Sequence, residues 1–220
     1  MTKGRLEAFS DGVLAIAITL LTLTLPVPHV THGLWNQLEH VWPQFAAYIV
    51  SFAFIGIIWV NHHGLMNRVA VVDRTLLFIN LLLLMFVAAV PWATNLFAEY
   101  LLDGGIDSHI AAAVFSINAL FMALSFNLLW WWIRRDATRL HESIDPAVAK
   151  TTARRYAVGI YIYAFAIVVS FISAPAALAF HGAVACYYVV DQLPRGSAAA
   201  AAEPDDEGRD APQEEAPGVD

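Results

Sequence analysis

The sequence predicts an all-α membrane protein, and three observations support that prediction. The 220 residues are 59% hydrophobic and only 14% charged, a composition outside the range of ordinary soluble domains. The apolar residues form six blocks, each of about 16–24 residues and therefore long enough to cross a bilayer as a helix. All the lysines and arginines lie in segments that six spanning helices would place on the same side of the membrane. We therefore expect six transmembrane helices.

The six blocks are separated by short polar or proline-bearing segments. They run over about 5–25, 43–61, 76–97, 110–133, 156–173 and 176–190. Pro26 and Pro28 end the first block, and no small-residue cleavage site follows it, so we do not expect a signal peptide. We assign 1–193 to one transmembrane domain and 194–220, rich in Ala, Pro and acidic residues, to a disordered acidic tail.

The distribution of basic residues predicts the orientation in the membrane. All 12 lysines and arginines fall in 1–8, 62–75, 134–155 and 191–220. The loops between those segments, around 26–42, 98–109 and 174–175, contain none. By the positive-inside rule we expect both termini in the cytoplasm.

The first block carries the most informative pattern. At about 100° per residue, one helical stripe contains Ile16, Thr19, Leu20 and Leu23. Several copies of this stripe meeting on an axis would form a narrow pore with hydrophobic rings, which can gate by dewetting. A Leu/Ile stripe also serves ordinary packing, so the residues alone leave both interpretations open.

Polar side chains gather at the predicted cytoplasmic ends of the first three helices. They are Arg5, Ser10, Asp11, Trp59, Asn61, His62, His63 and Asn80. We expect a structural cluster in which Asp11 accepts hydrogen bonds from Arg5, Asn80 or a histidine. The adjacent histidines diverge by about 100° on a helix, so we expect no metal site. We expect His181, in the sixth block, to be a hydrogen-bonded interior residue.

No catalytic pattern is present. The sequence has no nucleophile–base pairing, no glycine-rich phosphate loop and no HExxH spacing, so we expect no enzyme. The TVGYG filter of ordinary potassium channels is also absent. We expect neither a bound cofactor nor a nucleic-acid partner.

The first block resembles the signature of a known family. Residues 5–21 read R-x-x-x-F-S-D-G-V-x-A-I-x-x-T-L-L, and W-x-x-H-H follows at 59–63, Asn80 in a Leu-rich block and P-x-x-T at 91–94. These motifs are similar to those of the transmembrane protein 175 family of potassium channels, in its prokaryotic branch. The resemblance covers roughly residues 3–190.

The resemblance implies six helices per subunit and a homotetramer whose first helices line a central pore. Constriction rings carried over from the motif fall on Ile16, Thr19 and Leu23, with Leu20 at their edge. It implies a multi-pass protein in a prokaryotic plasma membrane, which conducts potassium over sodium. Animal members have also been linked to proton conduction. Ile16 replaces the usual Leu at the first ring, which affects how tightly the pore would close.

Two other functions fit parts of the sequence. A proton-coupled secondary transporter would use Asp11 with His62 or His63 as a relay, although inverted repeats are not evident. A non-conducting membrane scaffold would use the acidic tail to recruit a partner.

Overall fold

The computed structural model describes residues 2–29, 32–140 and 146–192. Its helices are α1 (Lys3–Thr22), α2 (Leu34–His40), α3 (Trp42–Met66), α4 (Arg74–Tyr100), α5 (Gly105–Arg134), α6 (Pro146–Ile172) and α7 (Ala174–Gln192). A 3-10 turn, Ala137–Arg139, follows α5. The predicted all-α class is confirmed, whereas the tail assigned to 194–220 lies outside the described residues.

Six of these helices correspond to the six apolar blocks, and two features differ from the prediction. The short helix α2 lies in the first loop, for which the sequence predicts a polar link without a helix. Helix α6 begins ten residues before its apolar block, at Pro146. Proline is favourable at the start of a helix, and the Ala and Lys residues that follow are good helix formers, so helical structure continues beyond the apolar segment.

The helices differ in how well they suit a membrane. By length and composition, α3, α4 and α5 can each cross a bilayer, while α6 and α7 contain the shorter apolar stretches Tyr156–Ile172 and Ala174–Val190. Helix α1 is less apolar because four charged residues occur within its 20 positions. The count of six spans therefore stays a prediction.

A capping side chain and two glycines determine where α4 and α5 begin. Asp73 precedes α4, and its Oδ1 accepts the Leu76 backbone N–H at 2.7 Å, which satisfies one free donor of the helix start. Gly104 and Gly105 form the turn into α5 with φ values of +73° and +67°. Residues with a Cβ rarely adopt that conformation, so the tight α4–α5 turn depends on glycine.

Helix α1 lies against α3 and α4, and α5 lies between α4 and α6. The buried side of α1 consists of Leu6, Ser10, Leu14, Ala17 and Leu21, a spacing of three to four residues that forms one face. Because lipid tails are as apolar as leucine, this face associates through close packing and hydrogen bonds rather than through exclusion of water.

Candidate functional site

Helix α1 presents two different faces. The side opposite its buried face carries the α1 stripe, which we define as Ile16, Thr19, Leu20 and Leu23. Ile16 is 59% exposed and Leu23 is 80% exposed. Among the described residues, none buries these side chains, so the stripe is available to another copy of the chain or to lipid.

Thr19 is the one hydroxyl of the stripe, and its orientation is fixed by its own helix. Its Oγ1 donates to the Ile16 carbonyl at 2.9 Å. The hydroxyl hydrogen is thereby used, and the oxygen keeps lone pairs that can accept a hydrogen bond or contact a cation. The stripe therefore combines three apolar side chains with a single hydroxyl oxygen.

A buried hydrogen-bond network holds the other face of α1. His62 Nε2 lies 2.8 Å from Asn80 Oδ1, Asn80 Nδ2 donates to Ser10 Oγ at 2.9 Å, and Ser10 Oγ donates to the Leu6 carbonyl at 2.9 Å. An amide oxygen only accepts, so His62 is the donor and carries its proton on Nε2. We call these residues the His62 network; they join α3, α4 and α1.

Asp11 belongs to a separate, exposed group. Its Oδ1 accepts the Trp59 indole N–H at 3.0 Å, and the His63 ring lies 6.4 Å from the Trp59 ring. This differs from the expected partners Arg5, Asn80 or a histidine. Arg5 and Asp11 are six residues apart, which places them about 120° apart around α1 and about 9 Å apart along it. Within the described residues, Arg5 is exposed and makes no ion pair with Asp11.

The predicted polar cluster is thus divided into two parts. Ser10, His62 and Asn80 are buried together, whereas Asp11, Trp59 and His63 are exposed together. Asn61 is half-buried on α3 and lines a cavity shared with α5 and α6. Among the described residues, no group of three or more His, Cys, Asp or Glu side chains could hold a metal ion.

A second buried network lies between α5, α6 and α7. His181 Nε2 is 2.9 Å from Ser116 Oγ, which is 2.9 Å from Ser170 Oγ, and Ser170 Oγ donates to the Ala166 carbonyl at 2.8 Å. Since the Ser170 proton is used on that carbonyl, Ser116 donates to Ser170 and accepts from His181. The prediction that His181 is a hydrogen-bonded interior residue is confirmed; its serine partners carried no sequence signal. We call this group the His181 network.

A third polar group, the loop clasp, joins the α3–α4 loop to the segment after α5. Asp73 accepts the Trp132 indole N–H at 3.1 Å and pairs with Arg139 Nε at 2.9 Å, and the guanidinium also stacks over the Trp132 ring. Partial burial acts to raise the pKa of Asp73. The hydrogen bonds from Leu76 and Trp132 and the charge of Arg139 outweigh it, so this pKa lies below its usual value. No sequence pattern predicts this clasp.

The outer surface of the helices is strongly apolar. Exposed side chains on α4, α5 and α6 include Phe78, Met85, Trp92, Phe121 and Phe165. Soluble monomers rarely expose so many large apolar groups on one surface. The fold and the site together define an all-α membrane protein, in which one helix directs a mixed Ile/Thr/Leu face away from its own subunit.

Comparisons with known proteins identify the family. A family model described as "Endosomal/lysosomal potassium channel TMEM175" matches residues 5–91. A Streptomyces collinus protein named a potassium channel is 50% identical over 202 residues, which are 91% of this chain and 98% of that relative. A Chamaesiphon minutus protein, also named a potassium channel, is 43% identical over 176 residues, covering 77% and 85% of the two chains.

A solved structure agrees with these matches. The crystal structure described as that of a lysosomal potassium-selective channel TMEM175 homologue from Chamaesiphon minutus superposes with a TM-score of 0.77 at 38% identity. It covers 86% of this chain and 97% of the other. The chain belongs to the TMEM175 family of ion channels, which confirms the resemblance found in the sequence.

Proposed function

We propose that this chain is the subunit of a potassium-preferring cation channel, in which four copies of α1 enclose the pore. The observation that supports this most directly is the asymmetry of α1. One face is packed into the subunit core, while the opposite face presents Ile16, Thr19 and Leu23 to whatever lies outside the subunit. The names of the bacterial relatives support potassium as the permeant ion.

In this proposal the α1 stripe acts as two apolar rings with a ring of oxygens between them. Ile16 and Leu23 form the apolar rings, and Thr19 lies about 4.5 Å along the axis from the first and about 6 Å from the second. An ion must lose part of its hydration shell to pass the apolar rings, and the Thr19 oxygens replace some of the lost water. Such a pore needs no TVGYG filter.

The two parts into which the predicted polar cluster divides then have different roles. The His62 network fixes the rotation of α1 by binding Ser10 on the face opposite the stripe. Asp11 remains exposed at the predicted cytoplasmic end, where its negative charge would attract cations toward the pore. In both cases the residues support permeation without forming the rings.

We propose that six helices, α1 and α3–α7, cross a prokaryotic plasma membrane with both termini in the cytoplasm. This is supported by the lysines and arginines, which all lie in segments that six spans would place on the same side of the membrane. The charged residues of α1 occupy its first three turns, so its last turns would provide the apolar part of the span.

The test is potassium flux from proteoliposomes, with sodium for comparison. Ile16→Asn places an amide in the first apolar ring, lowers the cost of keeping water there, and should raise flux severalfold while reducing preference for potassium. Ile49→Asn makes the same change at an isoleucine of α3 that is 63% exposed, and it should leave flux unchanged. Equal effects of the two substitutions would refute the assignment of the stripe to the pore.

The same assay separates the rival functions. Slow, saturable flux that is lost in Asp11→Asn but ignores Ile16→Asn would indicate a proton-coupled transporter. Absence of flux in every variant, together with a partner lost on deletion of residues 194–220, would indicate a scaffold. A channel should conduct with or without the tail.

A further inference from the structure

Four arginines lie over aromatic rings at the end of the molecule where α4 begins and α5 ends. Two of them serve the subunit itself, since Arg139 belongs to the loop clasp and Arg68 lies over the buried Trp130 ring. The other two, Arg74 and Arg135, are exposed. Within the described residues, neither of these two forms an ion pair with a carboxylate. Their positive charges are therefore available to an anion from outside the subunit.

Each of these two arginines lies over an exposed aromatic ring four residues away in sequence. The Arg74 guanidinium is 5.6 Å from the centre of the Phe78 ring, and the Arg135 guanidinium is 5.1 Å from the centre of the Trp131 ring. Phe78 is 59% exposed and Trp131 is 43% exposed. A guanidinium that stacks on a ring keeps its N–H edges free to donate paired hydrogen bonds to a phosphate. An exposed tryptophan is typical of the headgroup level of a bilayer.

The loop clasp brings the two arginine–aromatic pairs to one level of the molecule. Asp73, at the start of α4, accepts the indole N–H of Trp132, near the end of α5, at 3.1 Å. Arg74 follows Asp73 directly, and Trp131 directly precedes Trp132. The hydrogen bond therefore holds the two pairs side by side, one on each helix.

The acidic side chains beside the two pairs are engaged elsewhere. Asp73 pairs with Arg139 at 2.9 Å. Asp136 accepts hydrogen bonds from the Thr138 hydroxyl and backbone N–H, and its other oxygen lies 4.0 Å from Arg139. Neither carboxylate forms an ion pair with the two exposed arginines, so this edge of the molecule presents positive charge to its surroundings.

An apolar strip continues from the two pairs along the outer surface of α4 and α5, away from the loop clasp. The two helices stay in contact along it, because the Phe86 ring stacks on the Phe121 ring at 5.0 Å and 9°. Between that contact and the clasp, the exposed side chains include Leu82 on α4 and Leu124 and Leu128 on α5. A hydrocarbon chain can lie against such a strip while a charged headgroup stays beside the arginines.

The strip matches one bilayer leaflet in length. From Phe121 to Trp131 it extends about 15 Å at 1.5 Å per residue, which is half of a hydrocarbon core of about 30 Å. A zwitterionic headgroup carries a cation of its own that two arginines would repel, so a headgroup with net negative charge fits better. We propose that this surface, which we call the α4–α5 lipid site, binds an acidic phospholipid. Its headgroup lies between Arg74 and Arg135, and an acyl chain lies along the strip.

The experiment measures binding of dioleoylphosphatidylglycerol to the full chain in detergent by native mass spectrometry. Dioleoylphosphatidylcholine is the matched lipid, with the same acyl chains and no net charge. We expect one tightly bound phosphatidylglycerol per chain and weaker binding of phosphatidylcholine. Arg74→Gln and Arg135→Gln should each weaken phosphatidylglycerol binding roughly fivefold, the usual contribution of one basic residue at an anionic membrane surface. Replacing both with lysine keeps the charge but removes the planar guanidinium, so that loss should be smaller than in the double glutamine variant.

A matched double variant controls for net charge. Lys3→Gln with Arg5→Gln removes two positive charges from α1 at the same predicted membrane face, and it should keep native affinity. The proposal fails if phosphatidylcholine binds as tightly as phosphatidylglycerol, or if the α1 variant loses as much affinity as Arg74→Gln with Arg135→Gln. It also fails if inorganic phosphate displaces the lipid, because the strip would then contribute nothing. Since the readout is lipid binding rather than flux, failure here leaves the channel proposal unaffected.

Discussion

The His62 and His181 networks follow the same hydrogen-bonding logic in two regions of the molecule. In each, a histidine donates from Nε2, and the last side chain is a serine that donates to the carbonyl four residues before it. Ending at a backbone carbonyl fixes the direction of every bond in the network. Each network therefore determines one histidine tautomer and one arrangement of helices.

The two networks differ in what they hold. The His62 network ends on α1, the helix whose opposite face carries the exposed stripe. The His181 network joins α5, α6 and α7, and it contains only serine hydroxyls besides the histidine. Similar polar chemistry therefore holds the helix of the candidate site in one region and packs α5, α6 and α7 together in the other.

The largest expected effect is that of Asn80→Leu. Asn80 both accepts from His62 and donates to Ser10, so its removal leaves a buried donor unpaired and releases the tie to α1. We expect a loss of about 2–3 kcal/mol in the free energy of unfolding in detergent, together with loss of potassium flux. Asn95→Leu makes the same change at an exposed position of α4 and should stay within about 0.5 kcal/mol.

The outcome for Asn80→Leu tests the difference between the networks directly. If stability falls but flux per folded channel is unchanged, the His62 network has no special connection to the stripe, and the comparison fails. If neither quantity changes, the buried hydrogen bonds described for Asn80 are not formed in the protein.

A smaller effect is expected for Ser116→Ala in the His181 network. Ser170 keeps its bond to the Ala166 carbonyl, so mainly the His181 donor loses its acceptor. Interhelical hydrogen bonds in membranes average about 0.6 kcal/mol and rarely exceed about 1.7 kcal/mol, so we expect a loss of about 1 kcal/mol and native flux.

The matched control for Ser116→Ala is Ser125→Ala. Ser125 is buried on the same helix, but its hydroxyl donates only to the Phe121 carbonyl within α5. Its removal should have almost no effect on the unfolding transition in detergent. A loss of flux in Ser116→Ala as large as in Asn80→Leu would show that the two networks are not functionally distinct.

Much of the fold could be predicted from sequence because it depends on local patterns. Block length and helical periodicity predicted the long helices and the Ile16 stripe on α1. The distribution of basic residues then predicted that His62 and Asn80 lie near the same membrane face as Ser10. Which of these groups would bond to each other depends on helix rotation and crossing, and single-sequence periodicity does not contain that information.

Three features were missed for related physical reasons. Asp11 pairs with Trp59 rather than with Arg5, because the rotation of α3 decides which side chain reaches it. The serines of the His181 network resemble any small residues at helix contacts. Asp73 and Arg139 lie in loops 66 positions apart, where no periodic pattern relates one residue to the other.

The loop clasp extends the comparison to a charged group outside the helices, and the smallest effect is expected there. Asp73→Asn keeps a side-chain oxygen for the Leu76 N–H but removes the charge that pairs with Arg139. Because the Asp73 side chain is 31% exposed, the pair is partly screened, and we expect a loss of less than about 1 kcal/mol at neutral pH.

The pH dependence of the stability that Asp73 contributes distinguishes the loop clasp from the two histidine networks. The pKa of Asp73 lies below its usual value of 3.8, so its contribution to stability is complete well above that value and is lost as pH falls through the lowered pKa. The difference in unfolding midpoint between the native protein and Asp73→Asn should therefore be constant from pH 7 to about pH 5 and shrink below about pH 4. A difference that persists unchanged to pH 3 would mean that the clasp stabilises through the shape of its hydrogen bonds rather than through the charge of Asp73.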